Sequence, residues 1–183
     1  MWLNKLQEAF KQIELNEGFP FRQTENSGHV TCYKFHTDTE NYEVKFEFAD
    51  PEGYWEMIFG TIDHEGLLDT SILTNQPQDV VKVLNTIFID ILADFVKEQI
   101  EFDGTLQILL APQCVKGETV STNPFKRKRG RVYVRKIYDA LEQPFWKQFQ
   151  IDFRLSDTYP PAIMFEVKKI FQAKKSKNQL KYK

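Results

Sequence analysis

The sequence predicts an α+β fold in which an antiparallel sheet carries one long buried helix on one face, with additional short helices beside it. Two stretches, 30–73 and 149–167, alternate apolar with polar residues, as half-buried strands do. Between them, 77–98 is apolar around most of a helical circumference, which is typical of a helix pressed deep against a sheet. With 183 residues, of which 42% are hydrophobic, the chain is expected to form a single domain over 1–183.

The chain opens with a predicted short amphipathic helix over residues 2–15. Its apolar side chains recur at helical spacing, at Leu3, Leu6, Phe10 and Ile13. Gly18 and Pro20 follow this segment and are expected to end the helix.

Three or four antiparallel strands are predicted over 30–73. The apolar members of the alternation are Tyr33, Phe35, Tyr42, Val44, Phe46, Phe48, Trp55, Met57 and Phe59. Turn sequences at 50–53 and 63–66, each of which ends in glycine, separate the strands. The residues between the apolar ones include Glu43, Lys45, Glu47 and Glu56. One face of the sheet should therefore be solvated and acidic.

The helix from 77 to 98 is the best-marked element of the sequence. Asn75 and Gln78 form a capping pair at its start, and Pro77 suits a first helical turn. Its apolar positions leave only a thin polar stripe, which consists of Lys82, Thr86, Asp90 and Lys97.

A second, shorter helix is predicted over 131–141. A buried strand at 105–110 and a loop over 115–125 precede it, and Pro144 lies beyond its end. Its apolar side consists of Val134, Ile137, Tyr138 and Leu141. The alternation over 149–167 then indicates two more strands.

Charge is divided unequally along the chain, although the total formal charge is only −2. Residues 1–115 contain 7 Lys and Arg against 20 Asp and Glu, whereas residues 116–183 contain 17 against 6. The first part therefore carries a charge of −13 and the second a charge of +11. The cations concentrate in 126–131 and in a basic C-terminal tail over 168–183. Such a division favours a charged macromolecular partner.

The basic segment is the leading candidate for a binding site. Its candidate contact residues are Lys126, Arg127, Lys128, Arg129, Arg131, Tyr133, Arg135 and Lys136. The cations can neutralise an acidic protein surface or nucleic-acid phosphates, and Tyr133 or Phe125 can stack on a base. The alternative is a solvated loop whose charges pair within the molecule. Because an arginine near a helix N-terminus is unfavourable without a carboxylate, Asp90 or Asp94 is expected nearby.

These observations lead to the hypothesis of a non-enzymatic protein that docks on a protein partner through the basic loop and tail. Direct nucleic-acid binding through 126–135 is the alternative. A more distant alternative is a phosphoesterase that uses His29 or His36, although His29-Val30-Thr31 lacks the second copy that a two-histidine phosphate site needs. No cofactor and no metal ion are expected, since phosphate-loop and dinucleotide fingerprints are absent from the sequence.

The acidic half suggests a further hypothesis. Its carboxylates on one sheet surface can imitate a row of phosphates, as inhibitors of DNA-binding enzymes do, and they are Glu40, Glu43, Glu47, Asp50, Glu52 and Glu56. An ordinary solvated sheet face with edge-protecting charges is the simpler interpretation.

Cysteine usage and hydropathy predict the compartment. Cys32 and Cys114 lie far apart without CxxC spacing, and no signal peptide or apolar run of about 18 residues is present. A reducing cytoplasm is therefore expected, without membrane association. The sequence leaves the oligomeric state open.

Several short motifs follow one another in a particular order over residues 44–167. They are Phe59-Gly60, Thr74-Asn75, 82–87, Asp94-Phe95, 102–104 and 129–137. The most specific is 129–137, with the pattern Arg-x-Arg-aliphatic-Tyr-x-Arg-x-Ile. This order resembles an uncharacterised family of small α+β proteins from Bacteroidetes-type bacteria and tailed phages. The resemblance implies the fold and a microbial or phage origin, with the host cytoplasm or the virion as the location, and it lends no activity.

The chain departs from that family at three places. Gln76-Pro77 stands where an Asn-Gly pair is usual, and the insertion between Gly104 and Arg129 is longer. The N-terminal helix and the basic tail are extra segments at the two ends.

Overall fold

The computed structural model describes residues 17–71, 77–100 and 104–170. The predicted α+β class is confirmed, because eight strands form one sheet and a helix of 23 residues lies against it. The predicted helix over 2–15, the Asn75 cap and most of the basic tail lie outside the described residues.

Seven strands fall in the predicted segments over 30–73, 105–110 and 149–167, whereas β1 was not predicted. Their bounds are β1 Phe21–Asn26, β2 Val30–His36, β3 Asn41–Ala49, β4 Tyr54–Ile62, β5 Leu68–Asp69, β6 Thr105–Leu110, β7 Phe149–Leu155 and β8 Ile163–Lys169. Across the sheet their order is β1-β2-β3-β4-β6-β8-β7, and the short β5 pairs with the far end of β4. Both β1 and β7 are edge strands.

One strand pair departs from the predicted antiparallel sheet. β4 and β6 run parallel, with Trp55 beside Ile108 and Met57 beside Leu110. Parallel neighbours cannot be joined by a hairpin and need a crossover connection, usually a helix. The long helix supplies that connection, so the sheet is mixed at this one boundary.

Helix α1 covers 77–99 and is buried, as its apolar circumference predicted. It consists of a 3-10 turn Pro77–Asp79, an α segment Val80–Asn85, a π segment Thr86–Ile91 and an α segment Leu92–Gln99. Its side chains pack on the inner face of the sheet, where the ring of Phe95 stacks on Phe46 with 3.7 Å between centroids. The remaining large apolar side chains of this face complete one continuous core.

Thr86 is an exception to the predicted polar stripe, because it is fully buried. Its hydroxyl oxygen accepts a hydrogen bond from the backbone N–H of Phe19 at 2.6 Å, and the neighbouring Asn85 side chain donates to the Glu17 carbonyl at 3.2 Å. These bonds attach the chain before β1 to helix α1. Asp90 in the same π segment is half-buried, and burial raises its pKa to about 6.

Helix α2 covers Lys128–Leu141 and therefore begins three residues before the predicted start at Arg131. A short 3-10 helix, Pro144–Gln148, connects it to β7. Tyr133, Ile137 and Ala140 face the core from α2. The earlier start places most of the basic segment on a helix instead of in a loop.

Candidate macromolecule-binding surface

The basic segment divides into side chains that hold the fold together and side chains that face solvent. Arg127, immediately before helix α2, belongs to the first group and is only 4% exposed. Its guanidinium donates to three carbonyl oxygens, from Nε to Thr122 at 3.0 Å, from Nη1 to Pro112 at 2.8 Å and from Nη2 to Val120 at 2.7 Å. The side chain is therefore directed inward, where it closes the loop over 112–122.

The prediction that Arg127 contacts a partner is therefore wrong. A guanidinium carries five N–H donors in a planar fork, and a loop of unpaired carbonyls is a good acceptor for them. Arg127 is a structural residue, because it satisfies backbone oxygens that would otherwise lack partners.

Arg129 also forms intramolecular contacts. Its Nη1 donates to the Thr70 carbonyl at 3.0 Å, and its Nη2 donates to the Ser71 carbonyl. The side chain thus ties the start of helix α2 to the segment that follows β5. Its predicted role as a contact residue is corrected accordingly, although part of the residue remains accessible.

Tyr133 cannot stack on a base, contrary to its predicted role, because it is buried in the aromatic core. Its ring lies 5.2 Å from Phe59 and 5.2 Å from Phe88, and only 6% of the residue is exposed. Burial raises the pKa of its hydroxyl. The apolar neighbours explain its position, since α2 packs against α1 through this ring.

Lys136 is likewise engaged within the molecule. Its Nζ donates to the Asn85 side-chain oxygen at 2.9 Å and lies 3.7 Å from the Asp139 carboxylate. The lysine side chain is 17% exposed. It therefore connects α2 to the buried polar residues of α1, and its predicted role in partner contact is corrected.

The carboxylates near the start of α2 are Glu118 and Asp69, and the predicted Asp90 and Asp94 do not fill this role. The Glu118 carboxylate accepts hydrogen bonds from the backbone N–H of Val115 at 3.0 Å and of Lys128 at 2.8 Å. These two bonds hold the pKa of Glu118 below its usual value. An anion at the first turn also complements the helix dipole, which explains how cations are tolerated there.

Asp69 lies beside Arg129 on the other side of the helix start. Hydrogen bonds from the side chain and backbone of Ser71 lower the pKa of Asp69, and the charge of Arg129 adds a smaller effect in the same direction. Asp69 ends β5 and Glu118 lies in the loop before α2, far apart in sequence, so local sequence patterns could not identify the pair.

Four cations of the segment remain exposed, namely Lys126, Lys128, Arg131 and Arg135. We call this set the cationic flank. Residues 128, 131 and 135 follow at helical spacing and therefore lie along one side of α2. Within the described ranges, none of the four forms an ion pair with a carboxylate.

A shallow groove follows the cationic flank. Its walls include Phe125, Val134 and Tyr138 beside Arg131 and Arg135. Tyr138 is 56% exposed, although its ring also contacts Phe153 of β7 at 5.3 Å. The surface thus offers positive charge together with an aromatic side chain, a combination suited to a protein interface.

The acidic sheet face is partly neutralised by lysines of its own strands. Lys34 lies 3.3 Å from Glu43, and Lys45 lies 2.6 Å from Glu47. A row of carboxylates that imitates phosphates requires unpaired negative charge, and these lysines interrupt it. The simpler interpretation, a solvated face with mixed charges, fits these contacts better.

The histidines do not form a two-histidine phosphate site. His29 precedes β2 and His36 ends it, so six residues of the strand lie between them and separate them by about 23 Å. His36 Nδ1 lies 3.2 Å from the Thr37 carbonyl oxygen. His64 is 90% exposed at a hairpin turn beside Glu65.

Comparison with known proteins gives no match, either to a family model, to a curated protein or to a solved structure. Across the ranges that the structure describes, no helix combines the length and apolar character needed to cross a membrane. The same ranges contain no cluster of three or more His, Cys, Asp and Glu side chains suited to a metal ion.

Proposed function

We propose that this protein is a non-enzymatic macromolecule-binding protein that docks on an acidic protein surface through the cationic flank of helix α2. One observation carries the proposal. Lys126, Lys128, Arg131 and Arg135 are exposed without ion pairs among the described residues, whereas Arg127, Arg129 and Lys136 are used inside the fold. Exposed cations without ion pairs attract a partner whose surface carries complementary negative charge.

A protein partner is favoured over nucleic acid by what surrounds these cations. Burial removes Tyr133 from base stacking, and only four of the predicted basic residues remain available for phosphates. The exposed Asp139 lies beside Arg135 on the same helix and would repel a continuous phosphate backbone. A protein surface can present carboxylates at two or three points and leave Asp139 in solvent.

The resemblance to proteins of bacteria and tailed phages supports a phage-encoded or phage-derived origin. In that setting the partner is a host factor that the protein inhibits or another component of the virion. Both roles need the same complementary surface.

Binding of two polyanions tests the proposal. A fluorescent poly-glutamate peptide and a duplex DNA of equal total charge are titrated with the protein, with anisotropy measured at several salt concentrations. We expect preference for poly-glutamate, and the quadruple variant K126A/K128A/R131A/R135A should bind it at least about tenfold more weakly, since each exposed ion pair contributes a fraction of a kcal/mol.

The matched control removes four exposed cations elsewhere, in R22A/K97A/K116A/K147A, and so has the same net charge. This variant should retain most of the binding. Equal losses in the two variants would mean that only total charge matters and would contradict a defined surface. Preference for DNA, lost in the first variant alone, would assign the flank to nucleic acid instead.

A further inference from the structure

The two edges of the sheet differ in how well they are protected from pairing with another strand. At β1, the pairing with β2 shifts register between Gln23 and Glu25, and such a bulge disrupts an edge. At β7, seven consecutive residues pair with β8 without any shift. Among the described residues β7 has no neighbour on its other side.

Backbone groups of β7 point toward that open side. At the two ends of this ladder, Ser156 N–H donates to the Ala162 carbonyl and Ile170 N–H donates to the Gln148 carbonyl, each at 2.9 Å. In an antiparallel ladder, alternate residues bond to the same neighbour. The even-numbered residues of β7 therefore face β8, and the N–H and C=O groups of residues 149, 151, 153 and 155 face the open edge.

Among the residues that the structure describes, the charges on β7 are not balanced. Asp152 lies directly opposite Glu166 of β8, and like charges in that position are unfavourable. The Gln150 side chain donates a hydrogen bond from Nε2 to the Asp152 Oδ2 at 3.2 Å. Arg154, two residues along the same face, is 45% exposed and lies 3.6 Å from Glu166. The open edge thus presents an acidic and a basic side chain side by side.

We propose that a second copy of this chain pairs with β7 in antiparallel orientation, about a twofold axis that passes through Phe153. In this register Asp152 of each copy lies opposite Arg154 of the other, which gives each Asp152 a cation that none of the described residues of its own chain supplies. On the inner face, Ile151 lies opposite Leu155, and the two Phe153 side chains meet at the axis. The open backbone groups of both strands then pair with each other.

The position of helix α2 is compatible with the same twofold axis. Tyr138 contacts Phe153 of its own chain, so the two α2 helices approach each other near Tyr138 in antiparallel orientation. Pairing also covers Tyr138 and Leu155, which are 56% and 43% exposed in one molecule.

Two charge-reversal variants test the register by themselves and as a mixture. In Asp152→Arg the edge carries two arginines, and in Arg154→Asp it carries two aspartates, so each variant alone places like charges across the axis. We expect sedimentation velocity to show a dimer for the natural sequence. Each single variant should dissociate at least about tenfold more readily, because two attractive contacts become repulsive. An equimolar mixture should recover the dimer, since the hetero-pair restores opposite charges at both positions.

The other edge strand supplies the matched control. Arg22→Asp and Glu25→Arg make the same charge changes on β1 and should leave association unchanged. Circular dichroism verifies that every variant is folded. A monomeric natural protein at high concentration overturns the proposal, and so does a dimer that neither single variant weakens or that the mixture fails to restore. Asp152 and Arg154 lie outside the cationic flank, so this test is independent of the proposed function.

Discussion

Replacing Arg127 with methionine should lower the free energy of unfolding by about 3 kcal/mol or more. Methionine matches the length of the arginine stem but donates no hydrogen bond. The carbonyl oxygens of Pro112, Val120 and Thr122 would each lose a charge-assisted partner. The Pro112 bond is buried and the other two are part-buried, and a buried acceptor without a partner costs about 1–3 kcal/mol. The midpoint and slope of urea unfolding, followed by circular dichroism, measure the change.

Lys126→Met is the matched control for this substitution. Lys126 is adjacent in sequence, also cationic, and exposed. A surface substitution of this kind changes stability by about 0.5 kcal/mol or less. Equal effects of the two substitutions would show that Arg127 is not the residue that closes the loop.

Replacing Gly130 with alanine should also destabilise the protein, by about 2 kcal/mol, although alanine is the better helix former. Within an exposed helix the change would be favourable by about 1 kcal/mol. At position 130, however, the added methyl group would overlap the backbone carbonyl of Pro124, which cannot rotate away as a side chain can. Overpacking against a fixed backbone typically costs about 1–3 kcal/mol. Urea unfolding of the variant measures the net effect.

Gly104→Ala provides the comparison, since a methyl group at that position meets no atom of the described residues within 4 Å. We expect it to be close to neutral. A Gly130→Ala protein as stable as the natural one would mean that the close approach of α2 to Pro124 is incorrect.

The fold could be predicted from the sequence largely because its elements bury one face in a regular pattern. The alternation of Tyr42, Val44 and Phe46 determines which face of β3 packs inward, whatever its neighbours are. The all-round apolar character of α1 similarly predicted a buried helix. The parallel boundary between β4 and β6 depends on which strands become neighbours after the crossover, and no local pattern records that choice.

The binding surface was less predictable, because adjacent cations of the same type have opposite roles. Arg127 and Lys126 are neighbours in a continuous basic run, yet one is buried among carbonyls and the other is exposed. What separates them is the path of the loop from Pro112 to Thr122, a property of three-dimensional structure. Gly130 lies inside the observed helix, where it allows the close approach of the Pro124 carbonyl, but the predicted helix began only at residue 131 and so did not reveal this role.

The carboxylates near the basic start of α2 could also be predicted only in part. The helix dipole correctly predicted that an anion accompanies the basic helix start. Its identity depended on tertiary structure, because Glu118 lies ten residues before Lys128 in a loop that folds back on the helix. Asp90 and Asp94, which the sequence suggested, lie elsewhere, beside Phe21 and Phe145.

Modification of arginines in the folded protein tests the central claim, the division of the basic segment, most directly. Phenylglyoxal reacts with accessible guanidinium groups, and mass spectrometry of peptides gives the rate at each position. We predict fast modification of Arg131 and Arg135 and protection of Arg127, with Arg127 becoming reactive in urea. Modification of Arg127 in the folded protein at the rate of Arg131 would contradict the division and, with it, the assignment of the cationic flank.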